Sequence, residues 1–254
     1  MQSHLHNFLF DPNFNLGTDS LYSSQSLIAG LSPLRLGATA WLDSSDPSNN
    51  RTLPANNTAL TPWVDKTGNG HNATQGTPSA TPSFILNDIG TPAIKAVAAS
   101  SQNYALNTTI NTNGTTTLVV VAGISSVAGY IFSGNGTSSR PAMLFNFVAN
   151  TFEWFNSTDR HSFGTATSGY HMLAITQTDA VNCTGYFDGV QAFSFTPTMT
   201  LNNNLITRLF SSTGGTADFY NGGMKTFIFF NKVLSKTQLT SLFSFLSQRY
   251  NVAT

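Results

Sequence analysis

Carboxylate side chains are the first residues to consider, because two of them facing one bond can hydrolyse a glycosidic linkage. Such a pair stands about 5 Å apart in retaining enzymes and about 6.5 to 9.5 Å apart in inverting enzymes. The chain contains one glutamate, Glu153, and the acidic residue closest to it in sequence is Asp159, beyond the predicted end of the strand. We therefore expect no glycosidase activity.

Nucleophilic catalysis also lacks its usual sequence signature. Serines are abundant, but no Gly-x-Ser-x-Gly elbow occurs in the chain. Cys183 lies in a predicted turn with no histidine near it in sequence, so we interpret it as an inert small residue. His71, His161 and His171 show none of the paired spacings that are typical of metal ligands. The protein is therefore expected not to be an enzyme.

Glycan binding needs an exposed aromatic ring beside polar side chains, and the segment 152–156 contains both. Strand alternation puts Phe152 and Trp154 on one face and Glu153 and Phe155 on the other, and one of these faces must be core. If Trp154 points outward it forms a sugar-stacking site, and if it points inward it is a core residue. The candidate glycan-binding residues are Trp154, Asn156, Asp159 and Arg160.

The elements that must position these residues are short strands. After the N-terminal segment, β-branched and aromatic runs are separated by Gly, Asn and Pro clusters, at a spacing typical of an all-β sandwich or barrel. The run 115–124 is so apolar that we predict a central strand covered on both faces. Runs 142–148 and 151–156 predict a hairpin, and runs 169–178 and 185–195 predict a further strand pair.

Two local motifs are more specific. Asp188-Gly189 between β-forming residues is the preferred two-residue type I′ turn, because both central residues need a positive φ. The segment 235–238 (SKTQ) is a capping box, and Leu234 and Leu239 around it have the spacing of a hydrophobic staple. Apolar residues follow at helical spacing. The sequence therefore predicts one amphipathic C-terminal helix over residues 235–250.

Composition excludes several classes of function. Charged residues make up 9% of the 254-residue chain, whereas roughly 25% is usual, and the eleven basic and eleven acidic side chains cancel. A net charge of zero gives no electrostatic footprint for nucleic acid. The single cysteine excludes an intramolecular disulfide framework. We expect no signal peptide, because residues 1–12 have neither a basic region nor a continuous apolar run, and no membrane insertion, because no apolar run is long enough to span a bilayer.

Residues 1–35 differ from the rest of the chain. They carry scattered aromatic residues with no sustained period of 2 or 3.6. We predict that they form an N-terminal arm and that residues 36–254 form the sandwich domain. Because disordered solvating tails rarely carry so many aromatic residues, docking on a partner is favoured over a disordered or self-packed terminus. The candidate docking residues are Phe8, Phe10, Phe14 and Tyr22.

Two tryptophan-centred stretches, AWLDSSDP at 40–47 and WVDKTGNGHNATQ at 63–75, precede TPAIK at 91–95 and a strand at 220–230 that leads into the predicted helix. Together they resemble the concanavalin A-like, laminin-G-like jelly-roll superfamily in its bacterial and phage branch, over about residues 38–250. The resemblance implies an all-β, two-sheet antiparallel jelly-roll sandwich with one C-terminal amphipathic helix. This fold assigns no activity by itself.

The resemblance also points to calcium, because laminin-G-like modules and legume-type lectins often hold one ion through loop oxygens. The candidate ligands are Asp43, Asp46, Asp65 and Asn69. The loop that begins at Asp65 does not match an EF-hand at Thr67 and Gly76, so an EF-hand is excluded. In the alternative interpretation Asp65 accepts backbone N–H bonds in a tight loop, and Gly68 or Gly70 takes a positive φ.

Low charge, the aromatic arm and the resemblance together favour a non-enzymatic structural protein of a bacteriophage virion. In this hypothesis the arm docks on other virion proteins, many copies or a homo-oligomer assemble, and the sandwich on the virion surface binds host glycans weakly. The alternative is a dedicated lectin-like receptor-binding or adhesion protein. Calcium is the only cofactor that we consider for it.

Overall fold

The computed structural model describes residues 32–134, 141–156, 159–166, 168–178, 182–197 and 205–253, apart from the side chains of Asn156, Asp159 and Thr213. Sixteen strands and one α-helix occur in these residues. The strands are β1 (Ala40–Asp43), β2 (Thr58–Ala59), β3 (Ala73–Thr74), β4 (Ser83–Asp88), β5 (Thr91–Lys95), β6 (Tyr104–Asn111), β7 (Thr115–Gly123), β8 (Gly129–Gly134), β9 (Pro141–Phe145), β10 (Thr151–Asn156), β11 (Asp159–Thr165), β12 (Tyr170–Thr178), β13 (Asn182–Phe187), β14 (Val190–Phe195), β15 (Leu205–Leu209) and β16 (Gly223–Phe230). The α-helix, α1, spans Lys236–Tyr250, and short 3₁₀ helices span Pro78–Ala80, Ala98–Ser100 and Thr213–Gly215.

The strands form two antiparallel sheets that pack face to face. The nine-stranded sheet has the order β14-β13-β12-β7-β16-β5-β4-β2, and β1 pairs with β16 beside this path. The seven-stranded sheet has the order β11-β10-β9-β8-β15-β6-β3. This architecture confirms the prediction of an all-β, two-sheet antiparallel sandwich with one C-terminal helix.

Strand β7 lies at the centre of the nine-stranded sheet, between β12 and β16. Leu118 and Val120 point into the core between the sheets, whereas Val119 and Val121 point to the side that the helix covers. Successive side chains of a strand point to opposite faces, so a strand buried on both sides must be apolar throughout. The predicted central strand is therefore confirmed.

The apolar residues divide into two large cores. The first lies between the sheets, where the rings of Phe132 in β8 and Phe227 in β16 meet edge to face, 5.8 Å apart. The second lies between the nine-stranded sheet and α1, where Trp41 of β1 meets Phe245 of the helix at 6.4 Å. The helix therefore lies on the far side of the sandwich from the outer face of the seven-stranded sheet.

The C-terminal helix begins as predicted. The Ser235 hydroxyl oxygen accepts a bond from the backbone N–H of Gln238, and the Gln238 side chain accepts one from the backbone N–H of Ser235. These two bonds satisfy donors that the first helical turn would otherwise leave unpaired. Leu234 and Leu239 are both buried in the helix-side core. The capping box and the amphipathic helix are confirmed.

Two hairpins were predicted with different success. Asp188 and Gly189 have φ values of 46° and 81°, as the type I′ turn requires. In the other hairpin, the first strand does not extend to residue 148. It ends at Phe145, and Asn146 turns into the left-handed region with a φ of 65°. Residues 146–150 therefore form the connection, which places Phe147 in a turn.

The predicted arm, residues 1–35, lies almost entirely outside the described residues. Its candidate docking residues Phe8, Phe10, Phe14 and Tyr22 all lie outside them. Docking through the arm therefore stays a prediction. Leu36, at the start of the predicted sandwich domain, is buried in the helix-side core. Within the described part of the chain, no helix is long and apolar enough to cross a membrane.

Candidate glycan-binding site

Trp154 lies in the core between the sheets, with 3% of its surface exposed. Its ring packs against Phe132 at 6.4 Å, and Phe152 on the same face of β10 is fully buried. The predicted sugar-stacking role of Trp154 is therefore wrong. The physical reason is that β10 turns Phe152 and Trp154 inward, where burial of both rings removes a large apolar surface from water.

The opposite face of β10 carries an ion pair instead. Arg160 of β11 donates from Nε to Oε1 of Glu153 at 2.7 Å and from Nη2 to Oε2 at 2.6 Å. The two strands bring the side chains together because Glu153 and Arg160 lie on the same face of neighbouring strands. The carboxylate is buried, with 4% of its side chain exposed, whereas the Arg160 side chain is 42% exposed.

The fork geometry fixes the direction of the guanidinium. Two parallel N–H···O bonds to one carboxylate are stronger and more directional than a single ion-pair contact. The hydrogen bonds to Glu153 raise the pKa of Arg160 above its ordinary value, so the group stays charged. One edge of the guanidinium is held by Glu153, and Nη1 stands on its other side.

Aromatic and apolar side chains surround the ion pair. The Phe147 ring lies with its centroid 5.7 Å from Cζ of Arg160 and is 38% exposed. Tyr130 of β8 meets Phe147 edge to face at 5.5 Å. Tyr130 also belongs to a small apolar cluster with Ala142 and Leu144, on which Phe155 packs. We name Glu153, Arg160, Phe147 and Tyr130 the arginine–phenylalanine site.

Sequence reasoning found part of this site. Arg160 was a candidate, and the structure keeps it at the surface. Asn156 and Asp159 face each other at the ends of β10 and β11, but their side chains lie outside the described residues. Phe147 was missed because the apolar run 142–148 reads as one strand. The asparagines at 146 and 150 were the available turn signal.

The predicted calcium ligands Asp43 and Asp46 already have a cation. The ammonium group of Lys66 lies 2.5 Å from Oδ2 of Asp46 and 3.9 Å from Oδ2 of Asp43. Asp43 is fully buried and also accepts bonds from Arg249 at 2.6 Å and Tyr250 at 2.8 Å. A calcium ion at these oxygens would meet two positive side chains, so the structure contradicts the predicted site.

Asp65 and Asn69 follow the alternative interpretation. The Asp65 carboxylate accepts backbone N–H bonds from Trp41 and Thr67 at 3.0 Å each, and a third from His71 at 3.2 Å. Asn69 donates its side-chain N–H to the Thr39 carbonyl at 2.8 Å. Both following glycines, 68 and 70, have positive φ. Among the described residues, no group of three or more His, Cys, Asp or Glu could hold a metal ion.

A second polar region lies at the Asp188 turn. Nδ1 of His171 is 2.7 Å from Oδ2 of Asp188, and a cavity of about 200 Å³ opens between this turn and the helix. Its lining consists of Asp188, Gly189, Val190, Thr240, Phe243 and Ser244. Asp188 also accepts the backbone N–H of Met172 at 2.8 Å. Both oxygens of the Asp188 carboxylate thus have partners in β12, and these contacts tie the turn to that strand.

Solved structures share the sandwich. Domain 4 of AbnA, a GH43 extracellular arabinanase from Geobacillus stearothermophilus in complex with arabinotriose, matches with a TM-score of 0.57 and 15% identity, over 81% of this chain and 97% of that one. The botulinum neurotoxin type G receptor binding domain matches with a TM-score of 0.55 and 14% identity, over 82% and 51%. A Trypanosoma rangeli sialidase mutant matches with 0.56 and 12%, over 84% and 33%.

The chain has the concanavalin A-like jelly-roll β-sandwich fold. It spans about half of the neurotoxin domain and a third of the sialidase. No protein-family model matches the sequence, and no curated protein matches it either. At these levels of identity the likeness shows the fold alone, and the bacteriophage branch that the sequence suggested has no support from the matched structures.

Proposed function

We propose that the protein is a non-enzymatic carbohydrate-binding domain, and that glycans bind at the arginine–phenylalanine site. The observation that carries the proposal is the Arg160 side chain, which is 42% exposed and held by Glu153, beside the exposed ring of Phe147. This is the pairing of a polar donor with an aromatic ring that sugar recognition needs. The proposal corresponds to the lectin-like alternative from the sequence, without calcium and with a different aromatic residue.

The chemistry of the site suits a sugar ring. The C–H face of a pyranose or furanose can stack on the Phe147 ring, while Arg160 donates hydrogen bonds to hydroxyl or ring oxygens. The salt bridge to Glu153 orients the guanidinium before a ligand arrives, which reduces the side-chain entropy lost on binding. Such a shallow surface site is expected to give modest affinity.

The matched structures support a binding role. One of them is a domain in complex with arabinotriose, and another is the receptor binding domain of botulinum neurotoxin type G. The arabinanase that contains the first domain is described as extracellular. We propose a similar location outside the cell for this protein, where glycans are accessible.

The absence of catalysis is also part of the proposal. Glu153 is the only glutamate in the chain, and both of its oxygens accept bonds from Arg160. A general acid or a nucleophile needs a carboxylate that can reach the glycosidic bond. A buried carboxylate engaged in this way supports the surface arginine instead.

The bacteriophage role stays a prediction. Its evidence came from composition, from the aromatic arm and from the resemblance to the phage branch, and residues 1–31 lie outside the described part of the chain. Placement on a virion surface, partner virion proteins and a multi-copy assembly stay predictions with it. A glycan-binding sandwich is compatible with that setting and with several others.

The first test is a glycan-array screen of the full chain, followed by isothermal titration calorimetry with the best ligand. Phe147→Ala removes the stacking ring from an exposed turn, so we expect affinity to fall about tenfold or more while the fold is retained. Val190→Ala is the matched control, because Val190 is an apolar residue beside the turn between β13 and β14 and is 69% exposed. Its affinity should not change.

Arginine variants test the second half of the site. Arg160→Lys keeps a positive charge for Glu153 but cannot form the planar fork, so affinity should fall again. Arg35→Ala is the control, because Arg35 is exposed next to Leu36 of the helix-side core. An array with no bound glycan, or a ligand whose affinity ignores both Phe147 and Arg160, would contradict the proposal.

A further inference from the structure

We infer that the ligand is an uncharged glycan, recognised through its ring face and oxygen acceptors and not through a carboxylate or sulfate group. This inference depends on the proposed function of the arginine–phenylalanine site. It concerns the charge of the ligand class, which the fold does not determine.

The charges of Glu153 and Arg160 oppose each other within the ion pair. Glu153 neutralises Arg160 at hydrogen-bond distance, with both carboxylate oxygens within 2.7 Å of guanidinium nitrogens. An anionic ligand on the exposed edge of Arg160 would also approach the Glu153 carboxylate. Because that carboxylate is buried, water screens its repulsion less than it would at the surface. The positive charge available to an anion is therefore largely cancelled.

Arg208 of β15 is a second positive side chain on the outer face of the seven-stranded sheet. Arg208 lies on the same face as Arg160, four strands away, through the cross-strand pairs with Ser133, Ala142 and Phe155. Four strand spacings of about 4.8 Å put it about 19 Å from Arg160, beyond the Debye length of about 8 Å at physiological ionic strength. Arg208 cannot provide a second positive contact for the same acidic group.

Aromatic side chains lie beside the ion pair. The rings of Tyr130 and Phe147 are in contact, and Phe155 packs nearby. Such a surface favours the C–H face of a sugar over a hydrated anion.

The experiment compares matched neutral and acidic probes on the full chain. An array that carries lactose with sialyllactose, and galactotriose with trigalacturonic acid, is read together with arabinotriose and other neutral oligosaccharides. We expect at least one neutral probe to bind about tenfold more strongly than its acidic counterpart, with little change as NaCl is raised. Glu153→Gln leaves the charge of Arg160 uncompensated and should shift the preference toward the acidic member.

The outcomes separate the two proposals. Preference of the wild-type chain for acidic probes, or affinity that falls steeply with salt, would overturn the uncharged-ligand inference and leave the binding function intact. An unchanged preference in folded Glu153→Gln, checked by near-UV circular dichroism, would also overturn it. Absence of binding to any probe would instead contradict the proposed function itself.

Discussion

Arg249 donates from Nη2 to Oδ2 of Asp43 at 2.6 Å and thereby ties the last turn of the helix to the end of β1. Tyr250 adds a second bond from its hydroxyl to Oδ1 of the same carboxylate. The motif around Asp43 that suggested calcium thus anchors α1 to the sandwich. The positive groups beside Asp43 are the side chains of Arg249 and Lys66.

Removal of this anchor should destabilise the protein. Asp43→Ala removes a fully buried carboxylate from Arg249, whose side chain is 18% exposed, so the loss should lie at the low end of the range of about 3 to 5 kcal/mol for a broken buried pair. We expect this decrease in the free energy of unfolding in urea denaturation. Asp46→Ala is the comparison variant, because the Asp46 side chain is 14% exposed whereas that of Asp43 is fully buried, so we expect a smaller loss. Equal losses for the two variants would contradict the anchoring role.

The Asp43 carboxylate predicts that the protein loses stability at acid pH. Burial alone would raise the pKa of Asp43, but the charges of Arg249 and Lys66 outweigh it and hold the pKa below its ordinary value. A lowered folded-state pKa stabilises the fold above the unfolded value of about 3.9, and the contribution disappears as pH falls through the folded pKa. Denaturation of Asp43→Ala should lack this part of the acid dependence seen in the wild type.

His171 predicts a dependence of the opposite sign. Burial alone would lower its pKa, but the hydrogen bond and charge of Asp188 raise the pKa above the ordinary value. Its stabilising contribution is therefore complete below about pH 6.5 and is lost as pH rises through the folded pKa. Urea denaturation between about pH 5.5 and about pH 8.5 should show this decline, and His171→Gln should remove it. A wild-type slope that persists in the variant would contradict the assignment.

We expect Lys225 to lose its proton at a lower pH than an ordinary lysine. It is fully buried in β16, donates to the carbonyls of Asp88 at 2.8 Å and Thr91 at 3.2 Å, and also donates to the Thr91 hydroxyl. Burial lowers its pKa to about 8, partly opposed by the charge of Asp88. Between about pH 8 and about pH 10.4 the unfolded chain then binds more protons, so this group makes stability rise with pH. A ¹³C titration of its Cε, assigned with Lys225→Met, should have its midpoint near pH 8; a midpoint near 10.4 would contradict the expectation.

Trp154 should matter for stability and not directly for binding. Trp154→Ala empties a large volume in the core and should cost about 3 to 5 kcal/mol in the free energy of unfolding. Trp154→Phe keeps most of that volume, and the indole N–H has no acceptor among the described residues, so the loss should be smaller. A Trp154→Phe variant with normal stability and lost glycan affinity would contradict the core assignment.

Much of the fold could be predicted because its signals are local. The capping box, the Asp-Gly turn and the apolar run of β7 each depend on a few neighbouring residues whose chemistry allows one conformation. The direction of Trp154 depends on which face of β10 meets the other sheet. Alternation alone leaves that choice open, since both faces of β10 carry aromatic residues.

The candidate site was harder to predict for the same reason. Arg160 and Glu153 are seven residues apart, and their pairing depends on the register between β10 and β11, which includes an irregularity after Phe152. The calcium prediction was wrong because the ammonium group of Lys66, 20 residues from Asp46 in sequence, binds the Asp46 carboxylate where the metal ion was expected. Ion pairs between residues far apart in sequence depend on strand register and on tertiary packing, and the residue pattern along the chain does not specify either of them.

The most direct test of the central claim is amide and side-chain NMR of the isotope-labelled full chain, titrated with the strongest ligand from the array. The account predicts that chemical-shift changes cluster on the outer face of the seven-stranded sheet, around Phe147 and the Nε–H of Arg160. Changes that cluster instead around the cavity between Asp188 and the helix would contradict the location of the site.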